Sequence, residues 1–316
     1  MRKAPEAAAG QGGPVALGVV IAGPTGSGKT QLAAQLAREL GGEIVSADSR
    51  QVYKDLDAAT SKERPEGVAI HGLDLATPSE PYDVGRFLQD ASAAISAIRS
   101  RGRLPIVVGG TGLYIKALLE GLSELPKRDE TVRARLRAEL DEKGEEDFRR
   151  RLKTLDPEAE AKIPKGNRQR LIRALEVCEL TGKPMSEAFS RRRGAAPGRW
   201  VALRVDWPSE TLKGRLEARC AAMWPKLLDE VRALRARYSG REPGFESLGY
   251  REAVAVVDGS LAEDEGYARF VKATLSYAKR QRTWFRHQLR AEAIEGGSAE
   301  SMAAQARAAV ERARRA

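Results

Sequence analysis

Short apolar runs alternate with amphipathic stretches along the first part of the chain. Val15 to Ala22 is almost wholly apolar and predicts a buried strand. Leu32, Leu36 and Leu40 recur at four-residue intervals and predict a helix over Lys29 to Leu40. Ile44 to Ala47 reads as a second strand. Val84 to Arg99 reads as a helix with Phe87, Leu88, Ile95 and Ile98 inward. A third strand is expected at Pro105 to Val108, and a helix at Leu113 to Leu122. Such alternation predicts a parallel sheet with helices packed on it. Residues 54–85 interrupt it with turn formers, including Pro65, Gly67, Gly72, Pro78 and Pro81. From Arg128 to about Arg193 the pattern is charged, helical and without a strand candidate. Strand pattern returns at Trp200 to Val205 and again at Ala291 to Ile294. Between them lie a long helix, Leu212 to Tyr238, broken or kinked at Pro225, and helices around Tyr250 and over Thr274 to Arg286. Residues 298–316 read as a terminal helix. The expected layout is a disordered tail at 1–13, a core domain from 14–126 and 200–316, and a helical insertion at 127–199.

The turn after the first strand carries specific chemistry. Gly23-Pro24-Thr25-Gly26-Ser27-Gly28-Lys29-Thr30 has the form G-x-x-x-x-G-K-T, between a strand and a helix. Backbone N–H groups of such a loop, with the helix N-terminus, form an anion cradle. Lys29 supplies a point charge, and the Thr30 hydroxyl can bind Mg²⁺. The loop therefore marks a phosphate or diphosphate site, and leaves open whether the phosphates belong to ATP. With the strand–helix alternation it predicts an α/β fold: a P-loop NTPase-like parallel sheet core flanked by helices, with an all-helical insertion domain.

Charge shifts along the 316 residues. The net formal charge is +10, divided as −1 over residues 1–126, +6 over 127–199 and +5 over 200–316. The basic excess thus lies outside the phosphate-loop segment. It fits a polyanionic partner such as RNA, or a solvated arginine-rich surface. Cys178 and Cys220 are the two cysteines and form no C-x-x-C pair, which argues against a disulfide framework or zinc finger. His71 and His287 are too few and too distant for a metal centre. No apolar run is long enough to span a membrane and no signal-peptide core precedes the first strand, so a cytoplasmic monomer without membrane contact is expected.

Other candidate groups fall at strand ends, where open α/β sheets bind ligands. Asp48 closes the second strand, as a metal ligand, a general base or an N-cap. Thr111, in Gly109-Gly110-Thr111-Gly112, follows the third strand, where it forms a second oxyanion contact or a tight turn. Gln169 and Arg173 share a helix face with Arg170 nearby, while Leu171, Ile172 and Leu175 point inward. That cluster grips RNA phosphates or is an ordinary solvated face. Lys279, Arg280, Arg282 and Arg286 interleave with Tyr277, Trp284 and Phe285, which suits nucleic-acid contact or an amphipathic helix with core aromatics.

Six separated stretches together resemble the tRNA isopentenyltransferase family in its bacterial form. They are GPTGSGKT, DSRQVY, the segment from His71 to Pro78, VVGGTGLYIKALLEGL, NRQRLIRALEVCELTGKP and LSYAKRQRTWFR, spread from about Val15 to Arg290. The resemblance implies transfer of a dimethylallyl group from dimethylallyl diphosphate to N6 of adenosine 37, beside the anticodon, in tRNAs reading codons that begin with U. The phosphate loop then holds the leaving diphosphate, with Mg²⁺. The resemblance assigns Asp48 as the base that takes the N6 proton, with Thr111 and Arg133 assisting. It places tRNA contacts at Asp48, Ser49, Arg50 and Gln51, at Gln169, Arg170, Leu171, Ile172 and Arg173, and at Ser276, Lys279, Arg280 and Gln281. Gln51 has the donor–acceptor pair suited to an adenine edge. Two departures stand out: Arg50 sits where many relatives carry Met, and Ile70-His71 where many carry two histidines. The rival readings are a phosphate-loop small-molecule kinase, an enzyme that prenylates free AMP, and a non-catalytic RNA-binding protein.

Overall fold

The computed structural model describes residues 16–123, 125–188 and 192–316, so the tail expected at 1–13 lies outside the described residues. The chain begins with β1 (Leu17–Ala22), α1 (Lys29–Leu40), β2 (Gly42–Ser46), β3 (Ile70–His71), α2 (Val84–Ser100), β4 (Leu104–Gly109) and α3 (Gly112–Glu120). A two-residue strand β5 (Leu122–Ser123) leads into α4 (Glu130–Lys143), α5 (Glu145–Leu155), α6 (Pro157–Lys162), α7 (Arg168–Thr181), α8 (Met185–Ala188) and β6 (Arg192–Arg193). It closes with β7 (Arg199–Asp206), α9 (Ser209–Leu234), a 3₁₀ turn at Pro243–Glu246, α10 (Tyr250–Val257), α11 (Glu263–Gln288), β8 (Glu292–Glu295) and α12 (Ala299–Arg315). Two compact units result. One comprises the segments up to Leu119 and from Ala196, and the other runs from Glu120 to Ala195.

The first unit is built on a sheet ordered β3-β2-β4-β1-β7-β8, in which every pairing is parallel. β1, β2 and β4 are buried along nearly their whole length, as strands covered on both faces must be. α1 and α12 cover one face: Leu32 and Leu36 of α1, with Met302, Ala306 and Val310 of α12, pack on Ile21, Ile44, Ile106 and Leu203. A second apolar cluster joins α9, α10 and α11 to the segment after β2, through Val52, Leu56, Trp224, Leu227, Phe245, Tyr250 and Phe270. It fixes the turn-rich excursion over residues 52–76 as a wall beside the sheet edge. β1 lies between β4 and β7, so the connections leaving β1, β2 and β4 open at one carboxyl edge, where ligands of such sheets bind.

The second unit has its own core of Leu136, Leu140, Phe148, Leu152, Leu171 and Leu175. Its helices start on side-chain caps: Asp129 accepts from Thr131 and Val132 N–H, and Asn167 from Arg170 N–H. Two features differ from the sequence reading. The antiparallel pair β5–β6 joins the ends of a segment read as purely helical, and at two residues per strand it is too short to leave a periodic signal. α9 is continuous through Pro225, so the helix is not broken there, with Trp224 and Leu227 buried on either side of it.

Candidate active site

The cradle forms because two glycines take left-handed backbone conformations that side-chain-bearing residues seldom adopt. Gly26 and Gly28 have φ of 74° and 82°, and Gly28 is the N-cap of α1. Side chains from distant segments hold the loop. Trp207 Nε1 donates to Ser27 O at 3.0 Å, Arg215 Nε to Gly26 O at 3.1 Å, and Lys29 Nζ to Pro24 O at 3.2 Å. Gln281 accepts the Thr25 N–H at 2.9 Å and donates to Gly110 O at 2.8 Å, clamping the loop to the turn after β4. The Ser27 N–H turns back to Pro24 O. Among the described residues this leaves the N–H groups of Gly26, Gly28, Lys29 and Thr30, rather than those of Thr25 and Ser27, to meet a phosphate.

The loop floors a cleft of about 640 Å³. Lys29, Thr30, Asp48, Ser49, Arg50 and Gln51 line it, with Ser61 and Glu63 from the wall, Arg215 and Arg219 from α9, Leu248 beyond the 3₁₀ turn, and Tyr277 and Arg280 from α11. Asp48 Oδ1 accepts the Arg50 N–H at 2.9 Å, so this carboxylate caps its own turn and also faces the cavity. Thr111 Oγ1 accepts the Ser49 N–H at 3.0 Å and donates to Ser49 Oγ at 3.3 Å. It thereby pins the turn that carries Asp48. The tightness of this corner shows at Gly112, where an added Cβ would stand 2.3 Å from the Trp284 ring.

Burial stores positive charge here at a cost. Desolvation lowers the Lys29 ammonium to about 8; Asp48 opposes this and Arg219 adds to it. Desolvation likewise lowers the Arg219 guanidinium, which donates to the Ser61 hydroxyl. Among the described residues neither cation has a carboxylate within ion-pair distance. An anion in the cleft would repay that desolvation. Tyr277, raised to about 12 by burial and then by Asp48, stays a neutral phenol beside them.

Several expected contacts occupy other positions. The Gln51 carboxamide accepts from Ser46 Oγ at 2.8 Å and donates to Thr60 O and Ser61 O at 3.1 and 2.9 Å. Its groups are committed to fastening the wall to β2, so it offers no free edge to an adenine. Leu171 and Ile172 are buried in the helical core, with their side chains spent on packing, while Gln169 and Arg170 are exposed on α7. Arg133 and Arg173 belong to the helical unit too. There they surround the fully buried Glu176, at 3.9 and 2.9 Å, and Arg173 also donates to Pro126 O. Ser276, Lys279 and Arg280 are exposed on α11. The sequence reading missed Arg215 and Arg219. Their only signal was a four-residue spacing on the helix after a core strand.

The family model described as IPP transferase matches residues 51–288, and one described as isopentenyl transferase matches 18–73. The chain belongs to the IPP transferase family. A tRNA dimethylallyltransferase of Anaeromyxobacter sp. (strain K) is 46% identical over 276 residues, covering 85% of this chain and 90% of the relative. The crystal structure of the full-length tRNA isopentenylpyrophosphate transferase of Bacillus halodurans superposes with a TM-score of 0.67 at 32% identity, covering 94% and 97% of the two chains. A eukaryotic dimethylallyltransferase captured acting on tRNA gives 0.77 at 27% identity, covering 93% of this chain and 77% of its own. The sheet of this chain bears out the parallel α/β core expected from the sequence. Among the described residues no helix is long and apolar enough to cross a membrane.

Proposed function

We propose that the cleft transfers a dimethylallyl group from dimethylallyl diphosphate to N6 of an adenosine in tRNA, releasing diphosphate. The observation that carries this reading is the shared cavity of Lys29, Arg219 and Asp48 in a chain of the IPP transferase family. The allylic C–O bond breaks as N6 forms a bond to the same carbon, so negative charge grows on the departing diphosphate. Lys29, Arg219 and the N–H groups of Gly26, Gly28, Lys29 and Thr30 are placed to receive that charge. N6 is a weak nucleophile because its lone pair is delocalised into the ring. Asp48, open to the same cavity, takes its proton. Thr111 contributes through the Ser49 turn, keeping the Asp48 carboxylate aimed.

The donor set also fits Mg²⁺: the Thr30 hydroxyl lines the cleft, and this ion commonly takes few protein ligands beside substrate phosphates. Bound there it would neutralise phosphate charge. The acceptor base must leave its stack to reach Asp48. Exposed Gln169 and Arg170 on α7, with Ser276, Lys279 and Arg280 on α11, are the side chains proposed to hold the RNA.

The test offers the protein dimethylallyl diphosphate and Mg²⁺ with unmodified tRNA, and in parallel with AMP or ATP. Prenylation confined to tRNA is expected. Prenylation of AMP, or ATP hydrolysis without prenyl transfer, would overturn the reading.

A further inference from the structure

The two sides of α11 differ. Tyr277, Arg280 and Gln281 face the cleft. Lys279, Arg282 and Arg286, spaced three and four residues apart and so on one side of the helix, line a separate groove of about 500 Å³ against α9. Lys213 of α9 stands on the opposite rim, and the floor is apolar, with Leu212, Leu216 and Ala278 buried together.

The charge in this groove is poorly neutralised. Among the described residues, Lys213 and Lys279 have no carboxylate within ion-pair distance. Arg282 donates to the Ser209 hydroxyl at 2.7 Å. Arg286 is 3.8 Å from Asp206, which Arg204 already holds at 2.8 Å. One acidic side chain, Glu210, lines the groove beside these four cations. Lys279 to Arg286 spans about 10 Å of helix at about 1.5 Å per residue.

We propose that the α9–α11 groove binds the sugar–phosphate backbone of the acceptor tRNA, next to the nucleotide that enters the cleft. The proposal rests on the prenyl-transfer reading, because a strand delivering a base to one side of α11 has its neighbouring phosphates within reach of the other side. The four cations contact phosphates and carry no base specificity. They set affinity and salt dependence, whereas the cleft decides which base reacts.

The test compares the wild type with Lys213→Ala/Arg282→Ala/Arg286→Ala, titrating unmodified tRNA from 50 to 200 mM salt. Losing three phosphate contacts should reduce the magnitude of the slope of log affinity against log salt by roughly 2 to 3, at roughly 0.7–0.9 per contact. Lys213→Arg/Arg282→Lys/Arg286→Lys should retain the wild-type slope, which separates charge from folding. Protection against heat by dimethylallyl diphosphate, read from the melting temperature, should be the same in all three proteins. An unchanged slope in the alanine variant overturns the groove while leaving the prenyl-transfer reading intact. Failure of the wild type to bind tRNA would sink both.

Discussion

Two regions of this chain use arginine in opposite ways. In the helical unit nearly every central arginine is answered by a carboxylate. Arg135 and Arg151 share Glu139 and Glu179, Arg149 bridges Glu145 and Glu160, and Arg133 and Arg173 surround Glu176. In the cleft of the α/β unit, Lys29 and Arg219 are held among dipoles and hydroxyls. The segment with the largest basic excess therefore pairs its central arginines internally and keeps that excess on other side chains, while the segment from 1 to 126, at net −1, holds the loop of the anion site. Segment charge alone misplaces the binding centre. What matters is a cation kept desolvated and unpaired, because that cost is recovered when an anion arrives.

The contrast can be broken by mutation. Asp48→Ala should produce the largest effect, a loss of about 10³-fold in kcat, within the range for removing a general base, with tRNA affinity retained in filter binding. Near-normal turnover in this variant would remove Asp48 as the base. Arg219→Ala should lower kcat/KM for the prenyl donor by roughly 10²-fold, as for loss of one preorganised charge-stabilising group. It removes a desolvated cation with no carboxylate partner among the described residues, so its melting temperature should match or exceed the wild type. Glu176→Ala should behave in the reverse manner. It strips the carboxylate from two arginines and from the Asp129 N–H, 2.8 Å away, and should cost about 3 kcal/mol in denaturant unfolding. A stable Glu176→Ala protein would show that the helical unit does not depend on its internal pairing.

The smallest effect is a pH dependence. In the donor-free protein Lys29 is protonated below about 8 and loses its proton as pH rises through that value. Bound diphosphate favours the ammonium, so donor binding takes up a proton on the alkaline side. Donor affinity should thus fall between pH 7 and pH 9, and Lys29→Arg should flatten the profile; calorimetric titration at the two pH values checks both.

How much the sequence revealed follows the range of the interactions involved. The phosphate loop, Asp48 and Thr111 were legible because each is set by a strand end and its turn. Arg219 was not, since the Trp224 and Leu227 core that packs α9 on the wall joins residues far apart in sequence. Two glutamines are held differently from the sequence expectation, Gln51 by neighbours five to ten residues away and Gln281 by distant ones. Gln51 and Gln281 have groups fit to read a base, yet both are consumed by internal bonds, and the partners of Gln281 lie 256 and 171 residues away. Leu171 and Ile172 sit in a basic stretch whose helical period already turned them inward, and burial confirms the period over the charge.

The central claim is that the cradle holds a leaving diphosphate, so a single turnover decides it most directly. The protein, in excess over labelled dimethylallyl diphosphate, is mixed with unmodified tRNA and quenched, and both products are counted. One diphosphate should appear for each prenyl group on adenine N6, with no orthophosphate. Orthophosphate release, or diphosphate without prenylated RNA, would contradict the account.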